Sequence, residues 1–297
     1  MADIVAESRT SILERMLIAY ARRFPLRKGK LRLINALWSA AVDGDDARRI
    51  ATLIYGGYRL PCDLQEDLQR QIYFFGTYFL EQDNLSWWGK QAKGAEVIFD
   101  VGANVGIFSL AALAAEPNAV VHAFEPTPEI AKRLLNAAEL NGLHKLNVHA
   151  LAVSNANGYA KLNRWSGDMG TNSGMNFIFG SADEGDPNRV PIVSLDDFCQ
   201  EYAINRIDLL KVDVQGHEAE VFKGAQRLLT AGRIGLICFE LNWARDPASI
   251  CPARESIRFL ERCGYRFSAV GTMLNWRKSG DWMHGLTDAL AWIAPRS

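Results

Sequence analysis

The chain has 297 residues, 48% of them apolar, and a formal net charge of −1. The near-neutral charge argues against a dedicated nucleic-acid binder, which usually carries a basic excess on one face. No apolar run reaches the roughly 20 residues of a membrane span. The five cysteines show no C-x-x-C spacing and therefore indicate neither a disulfide framework nor a zinc site. We expect a cytoplasmic protein.

Residues 1–90 are expected to form a helical N-terminal extension ahead of a domain at residues 91–297. Apolar residues recur at helical spacing in SILERMLIAYARRF, LRLINALWSAAV and LPCDLQEDLQRQIYFF. Between Met1 and Leu33 there are eight Arg or Lys residues against three acids. A solvated helix face with a basic connector accounts for this excess. The alternative is weak contact with an anionic membrane surface or a lipid-linked substrate.

From Ala95 the pattern changes to alternating strands and helices. Strands are predicted at EVIFDVG, AVVHAFEP, LNVHALAVS, IDLLKVDV, IGLICFELN, YRFSAV and ALAWIA. A long Gly-rich interval from Gly158 to Arg189 separates the third strand from the fourth. Repeated strand–helix units predict an α/β fold with a mostly parallel sheet and helices on both faces. Ligands of such sheets lie at the carboxyl ends of the strands.

A glycine turn follows the first of these strands. Asp100 ends the strand, and Gly102 and Gly106 surround Asn104 before an apolar helix. A nucleoside triphosphate would need a lysine after the second glycine. A dinucleotide would need G-x-G-x-x-G, and Asp100 would repel its pyrophosphate. S-adenosylmethionine fits better, because Asp100 suits its ammonium group and the N–H groups around Asn104 and Gly106 suit its carboxylate.

The next two strand ends extend this cofactor prediction. Glu125 ends the second strand and Pro126 turns the chain. A carboxylate at this point can accept hydrogen bonds from both ribose hydroxyls of S-adenosylmethionine. The third strand ends near Ala152 and Ser154, where the adenine edge is expected, although serine also begins ordinary turns. Three successive strand ends thus predict a methyl-donor site.

Four motifs occur in order along the chain: VIFDVGANVGIFSLAAL, VHAFEPTP, VSLDDF and IDLLKVDVQGHEAEVFKGA. They resemble the FkbM-type S-adenosylmethionine-dependent methyltransferases, and the resemblance extends from about Gly76 to the C-terminus. It implies a class I methyltransferase fold with a Rossmann-like sheet. It also implies O-methylation of a small-molecule or glycan acceptor, such as a sugar or another secondary metabolite. Neither the acceptor nor the oligomeric state follows from it, and a homo-oligomer is compatible with the sequence.

The fourth strand carries two charged residues into the predicted sheet. Lys211 and Asp213 share one face of this strand, and buried charges are unfavourable unless they are paired or functional. His217 and Glu218 open the next helix, so all four are expected near one edge of the sheet, facing the donor. His217 or Asp213 would then take the proton of the acceptor hydroxyl. The alternative is a Lys211–Asp213 ion pair with Glu218 as a helix N-terminal acid.

A divalent metal ion is a further alternative, which the sequence does not favour. Asp213, Glu240 and Asn242 would supply oxygen ligands of the kind that magnesium accepts. The metal would lower the pKa of the acceptor hydroxyl. This arrangement resembles the catechol-type methyltransferases, but Glu-x-Asn is not their pattern.

Two other classes of protein are weighed against an enzyme of this kind. A non-catalytic methyltransferase-like subunit would have little reason to keep the charges at Asp100 and Glu125. A nucleic-acid methyltransferase commonly carries an Asn/Asp-Pro-Pro-aromatic stretch where this chain has DVQG. Acceptor choice is expected to lie in the N-terminal extension, the Gly-rich interval and the region of Trp276 and Trp282.

Overall fold

The computed structural model describes residues 10–42, 47–164, 166–167, 170–171, 176–241, 250–269 and 287–293. Ahead of residue 95 the described chain forms α1 (Ile12–Arg23), α2 (Lys30–Ala41), β1 (Arg48–Thr52), β2 (Arg59–Asp63), α3 (Asp67–Phe75) and α4 (Gln82–Ala92), with a 3-10 turn at Phe79–Glu81. The N-terminal helices are therefore confirmed. Among the described residues, no helix has the length and apolar character that crossing a membrane requires.

A β-hairpin in this extension corrects the prediction of a helix over the whole of LPCDLQEDLQRQIYFF. β1 and β2 pair antiparallel, so residues 60–62 lie in a strand and α3 begins only at Asp67. Burial alternates along β1, but one inward position is Arg49, whose charge disguises the strand pattern in the sequence. Arg49 is buried because its Nε donates to Glu14 Oε1 at 2.9 Å, and the Tyr73 hydroxyl donates to the same oxygen at 2.7 Å. This network ties α1, β1 and α3 together.

Strands and helices alternate beyond residue 95, as predicted. The elements are β3 (Val97–Val101), α5 (Ile107–Ala115), β4 (Val120–Phe124), α6 (Pro128–Leu140), β5 (Leu146–His149), β6 (Ala152–Val153), β7 (Gly158–Asn163), β8 (Ser166–Gly167), β9 (Gly170–Thr171), β10 (Phe177–Phe179), β11 (Arg189–Val193), α7 (Leu195–Glu201), β12 (Ile207–Val212), α8 (Glu218–Lys223), α9 (Gln226–Thr230), β13 (Ile234–Leu241), α10 (Ile250–Arg262), β14 (Tyr265–Ala269) and β15 (Thr287–Ile293). The main sheet has the order β14-β15-β13-β12-β3-β4-β5. Its neighbouring strands are parallel except at β15, which runs antiparallel to β13 and β14. The predicted α/β fold class, a class I methyltransferase Rossmann-like sheet, is confirmed.

Side chains of the central strands alternate between two hydrophobic cores on opposite faces of the main sheet. Ile98, Leu209 and Cys238 pack in one core with residues of α4, α5, α6 and the N-terminal extension. The residues next to them in each strand pack in the other core with α7, α8, α9 and α10. Because side chains two positions apart share a face, Asp100 and Lys211 lie on the first face, which the N-terminal extension helps to cover.

The predicted third strand is in fact two strands in different sheets. β5 ends at His149 in the main sheet, whereas β6 pairs parallel with β11 in a second sheet of order β10-β7-β11-β6. From the Gly-rich interval, β7 and β10 belong to this second sheet, and β11 begins at its end. The predicted helix after β12 is likewise divided, into α8 and α9, at Gly224. A Cβ at Gly224 would overlap the carbonyl oxygen of Ser154. The backbone at the end of α8 can therefore approach the backbone after β6 this closely only with glycine at position 224.

Candidate active site

The turn between β3 and α5 is packed tightly against two neighbouring strand ends. The N–H groups of Gly102 and Ala103 both donate to the Phe124 carbonyl at the end of β4, at 3.0 and 2.9 Å. Gly102 has a φ of +79°, and a Cβ there would overlap the carbonyl oxygen of Asp213, just after β12. Gly106 has a φ of +82°, and a leucine of α6 packs where its Cβ would stand. Both positions therefore require glycine.

Asp100 is buried at the end of β3, with 2% of its surface exposed. Its Oδ2 accepts hydrogen bonds from the Ser109 backbone N–H at 3.0 Å and from the Ser109 hydroxyl at 2.6 Å. Asp100 thus satisfies an N–H group in the first turn of α5. Burial raises the pKa of Asp100 to about 6, although Ser109 and Lys211 act in the opposite direction. A cation bound at this strand end would stabilise the ionised carboxylate.

Glu125 is buried at the end of the neighbouring strand β4. Its two oxygens accept hydrogen bonds from the backbone N–H groups of Asn104 at 3.0 Å and Thr127 at 2.8 Å. Pro126 lies between Glu125 and Thr127 and directs the chain into α6. Burial raises the pKa of Glu125 to about 7, and the charge of Asp100 adds to this effect. The structure therefore brings the glycine turn and Glu125 into one site.

Lys211 lies beside Asp100, because β12 and β3 pair in register at these two residues. Its side chain is 1% exposed, and its Nζ lies 3.3 Å from Asp213 Oδ2 and 4.9 Å from the centre of the Phe108 ring. Asp213 continues past the strand and keeps 27% of its side chain exposed. Lys211 therefore balances negative charge from the ends of two adjacent strands. Asp213, in contrast, is accessible to solvent.

Asp213 and Glu240 form a carboxyl pair at the ends of β12 and β13. The Gln215 side-chain amide donates to both, at 3.1 Å to Asp213 Oδ1 and at 2.9 Å to Glu240 Oε2. Burial and the charge of Asp213 raise the pKa of Glu240 to about 10. Burial also acts to raise the pKa of Asp213, but Lys211 and hydrogen bonds from Glu240 and Gln215 outweigh it and hold that pKa below its usual value. Glu240 therefore carries the proton, and Asp213 is ionised.

Tyr78, in the N-terminal extension, lies within electrostatic reach of this carboxyl pair. It is half-buried between α3 and the 3-10 turn. Burial raises the pKa of its phenol well above its usual value, and the charges of Glu81 and Asp213 raise it further. The phenol therefore remains protonated and can donate a hydrogen bond next to the acidic part of the site.

His217 does not gather with the carboxyl pair as predicted, whereas Glu218 lies close enough to Asp213 and Glu240 to interact with both electrostatically. Glu218 begins α8, and its Oε1 accepts hydrogen bonds from the backbone N–H groups of Val214 at 3.2 Å and Gly216 at 3.1 Å. Glu218 thus holds the loop after β12. This is the alternative role predicted from the sequence, an acid at the N-terminus of a helix. The ring of His217 instead points toward the second sheet, with Nε2 2.9 Å from the Ser154 hydroxyl.

A cavity of about 590 Å³ lies beside Ser154 and His217. The aromatic rings of Tyr159 and Phe179, both about half exposed, belong to its lining. Ala152, predicted to bind the cofactor together with Ser154, packs instead in the core of the second sheet. The reason is the division of the third strand, which turns Ala152 into a sheet residue and leaves Ser154 at the cavity.

Comparison with protein families connects this geometry to known proteins. A family model described as the methyltransferase FkbM domain matches residues 100–267, more than half of the chain. The chain belongs to the FkbM methyltransferase family. The matched region begins at Asp100 and includes Glu125, Lys211 and the carboxyl pair, whereas Tyr78 lies ahead of it.

The sequence of this chain also aligns with those of individual relatives over part of its length. It is 29% identical over 163 residues to the 2-O-methyltransferase NoeI of Sinorhizobium fredii, covering 48% of this chain and 62% of that protein. It is also 29% identical over 163 residues to the 31-O-demethyl-FK506 methyltransferase FkbM of Streptomyces tacrolimicus, covering 46% and 62%. The hexuronic acid methyltransferase AglP of Haloferax volcanii is 27% identical over 174 residues, covering 57% and 66%. The chain thus spans less than two thirds of the length of these relatives.

Part of the predicted metal and acceptor regions lies beyond the described chain. Within residues 10–42, 47–164, 176–241 and the shorter described segments, no group of three or more His, Cys, Asp or Glu side chains is arranged to hold a metal ion. Asn242, the third predicted metal ligand, lies outside the described residues, as do Trp276 and Trp282. Of the three predicted metal ligands, the structure brings together Asp213 and Glu240.

Sequence reasoning missed three side chains of this site. Ser109 is the third residue of α5, beyond the N-cap Gly106, so no capping pattern marks it in the sequence. Gln215 has a φ of +54°, a conformation that is uncommon outside glycine, and it lies in the loop between β12 and α8, whose path no sequence pattern predicts. The place of Tyr78 near the carboxyl pair depends on how the N-terminal extension packs over the sheet, which no local motif predicts.

We expect Gly102→Ala to destabilise the protein by about 1–3 kcal/mol more than Gly94→Ala. Both glycines have a positive φ, so both variants share the conformational cost of about 1–2 kcal/mol. Gly94 has open space where a Cβ would stand, whereas a Cβ at Gly102 would overlap the Asp213 carbonyl. Urea denaturation of both variants measures the difference. Equal losses of unfolding free energy would contradict the close packing of the turn on β12.

Proposed function

We propose that this protein is an S-adenosylmethionine-dependent O-methyltransferase acting on a hydroxyl group of a small molecule or glycan. The observation that carries the proposal is a set of carboxyl groups at adjacent strand ends: the buried Asp100 and Glu125, and the partly exposed carboxyl pair with Lys211. Membership of the FkbM methyltransferase family supports it. The relatives are named as a 2-O-methyltransferase, a 31-O-demethyl-FK506 methyltransferase and a hexuronic acid methyltransferase, which supports an oxygen acceptor on a sugar or a secondary metabolite.

The ends of β3 and β4 fit this donor in charge and in hydrogen-bonding capacity. Burial raises the pKa of Asp100 to about 6 and that of Glu125 to about 7, so neither carboxylate is fully compensated by the chain itself. An ammonium group beside Asp100 and ribose hydroxyls beside Glu125 would compensate them. When bound, S-adenosylmethionine supplies an electrophilic methyl group that a hydroxyl oxygen attacks in line with the departing sulfur. We assign the adenine end to the side of Ser154.

The carboxyl pair and Lys211 form the acceptor side in this proposal. Asp213 is ionised and partly exposed, so it can accept the proton of an acceptor hydroxyl. Its low pKa makes it a weak base, and the proton therefore transfers as the new carbon–oxygen bond forms. Lys211 balances the charge of Asp213, and Gln215 fixes the direction of its carboxylate. The phenol of Tyr78 is available to hydrogen-bond the acceptor.

His217 remains the second candidate for the base. Burial lowers the pKa of His217 below its usual value, so the ring is neutral near pH 7 and able to accept a proton. Its hydrogen bond to Ser154 and its place at the cavity beside the second sheet favour a binding role instead. Asp213 is preferred because it adjoins Asp100 and Lys211 at the centre of the sheet.

Other readings are less well supported. A non-catalytic subunit would not need a buried lysine held between carboxylates, which is stable only when every partner is in place. Metal-assisted transfer would make turnover sensitive to EDTA, whereas the base mechanism would not. We also propose a cytoplasmic location, which is supported by the free thiols among the described residues: Cys62, Cys199, Cys238 and Cys263.

Binding of S-adenosylhomocysteine is expected to release a fraction of a proton near neutral pH. Hydrogen bonds from the ligand to Glu125 would lower a pKa that is about 7 in the free protein. Binding then favours the ionised form, so affinity should rise as the pH increases through 7 and become constant above it. Calorimetry in two buffers of different ionisation enthalpy measures the release, and Glu125→Gln should remove most of it. Proton uptake, or the same release in Glu125→Gln, would contradict the assignment.

Replacement of the proposed base should separate donor binding from turnover. Asp213→Asn is expected to lower kcat by about 10²–10⁴-fold, the range for loss of a general base, with the affinity for S-adenosylhomocysteine near that of the wild type. Glu201→Gln is the matched control, because it also replaces a carboxylate by an amide, at an exposed position. Methylated product is detected by mass spectrometry against a panel of sugars and hydroxylated metabolites. Retained turnover in Asp213→Asn together with its loss in His217→Gln would move the role to His217.

A further inference from the structure

The N-terminal extension contains a second cavity, of about 300 Å³, whose lining residues all belong to the extension. It lies among the end of α1, the connector to α2 and the segment around the 3-10 turn. Three cations, Arg22, Arg27 and Lys30, belong to its lining, together with the single carboxylate Asp83. All three cations belong to the basic segment that the sequence shows before Leu33.

Lys30 is an unusual lining residue because its side chain is almost fully buried, with 5% exposed. Its Nζ donates to the Ala21 carbonyl at 2.7 Å and lies 6.0 Å from the centre of the Tyr20 ring. The Ala21 carbonyl belongs to the last turn of α1, so this bond partly explains the position of Lys30 as a helix C-terminal cation. It uses one of three ammonium donors and contributes no negative charge.

Arg22 is held at the cavity in a similar way. Its Nε and Nη2 donate to the backbone carbonyls of Phe74 at 3.2 Å and Tyr73 at 3.0 Å. These two bonds fix the guanidinium group and leave three of its five N–H donors for other partners. As with Lys30, the acceptors in these bonds are neutral.

Asp83 compensates only one of the three cations. It forms an ion pair with Arg27 at 3.2 Å, and both side chains are largely exposed, at 81% and 53%. The cavity therefore has an excess of two positive charges among its lining residues. Burial lowers the pKa of Lys30, and the charge of Arg27 lowers it further, so the positive charge is destabilised in the free protein.

We propose that this cavity binds the phosphate group of a ligand. Arginine and lysine donors converging on one small space suit a phosphate dianion, which arginine can bind through paired N–H donors. A volume of about 300 Å³ is near the lower limit for ligand sites, and it admits a phosphate with part of the group that carries it. The hydroxyl-bearing Thr77 and the amide of Gln82 supply further polar lining.

The phosphate could be carried by a soluble ester or by a lipid headgroup. Pro25 lines the cavity, and its neighbours Phe24 and Leu26 are 43% and 64% exposed. Apolar side chains beside a basic site are typical of contact with an anionic lipid surface. The chemistry that the cavity recognises is the same in both cases, and the experiment below distinguishes the two sources.

Phosphate binding is tested by calorimetric titration of the full chain with glucose 1-phosphate, with glucose as the uncharged control. We expect Lys30→Met and Arg27→Gln each to weaken binding by at least about tenfold, and Lys28→Met to leave it unchanged. Lys28 is exposed, lies in the same connector and changes the net charge equally, so it controls for general electrostatic attraction. Arg27→Gln keeps the test informative if Lys30→Met does not fold. Absence of binding to the wild type, or equal affinities in all three variants, would overturn the proposal.

Sedimentation with vesicles identifies the source of the phosphate. Vesicles of phosphatidylglycerol are compared with vesicles of phosphatidylcholine, using the same variants. Binding to phosphatidylglycerol that is lost in Lys30→Met but kept in Lys28→Met indicates a lipid headgroup, and binding of the sugar phosphate alone indicates a soluble ester. Vesicle binding that Lys28→Met and Lys30→Met weaken equally, without binding of the ester, counts against the cavity. Both experiments measure binding and do not depend on methyl transfer.

Discussion

The site depends on the register of three parallel strands. Pairing of β12 with β3 sets Lys211 next to Asp100, and pairing of β12 with β13 sets Asp213 next to Glu240. Because side chains two positions apart share a face, these groups meet on the face that the N-terminal extension helps to cover. A slip of one residue would send them into the apolar core of the opposite face. The register of the sheet therefore determines which charged side chains lie next to one another in the site.

Charge balance explains how so many ionisable groups tolerate burial. Glu240 keeps its proton, Asp213 is ionised and Lys211 is its counter-ion, so these three groups carry little net charge. Asp100 and Glu125 are different, since burial raises their pKa values and their hydrogen bonds come from neutral donors, with Lys211 acting on Asp100 only through its charge. The part of the site that is balanced by the chain itself suits proton transfer. The part that is unbalanced suits a ligand with a cation and hydroxyl groups.

Close packing couples these two parts. Gly102 of the glycine turn lies against the carbonyl of Asp213, and the N–H of Asn104 in the same turn binds Glu125. Glu218 fixes the loop after β12 through two backbone N–H groups. A change in the turn would therefore disturb both the donor side and the proposed base. The requirement for glycine at position 102 is a requirement of the whole site and not only of the turn.

The sequence predicted those parts of the fold and the site that local patterns determine. The alternation of strands and helices and the positions of Asp100, Glu125 and Lys211 at strand ends follow from periodicity and turn residues. The hairpin was missed because Arg49 occupies an inward position, which only its distant partner Glu14 makes tolerable. The direction of His217 and the role of Gln215 depend on the path of one loop, and Tyr78 depends on packing between distant segments. Such features have no local pattern from which to be predicted.

The most direct test of this account is a crystal structure of the protein with S-adenosylhomocysteine. We predict ribose hydroxyls within hydrogen-bond distance of Glu125, the amino group on the side of Asp100, and the sulfur facing Asp213. A ligand bound elsewhere, or a ribose that does not contact Glu125, would contradict the assignment of the donor site.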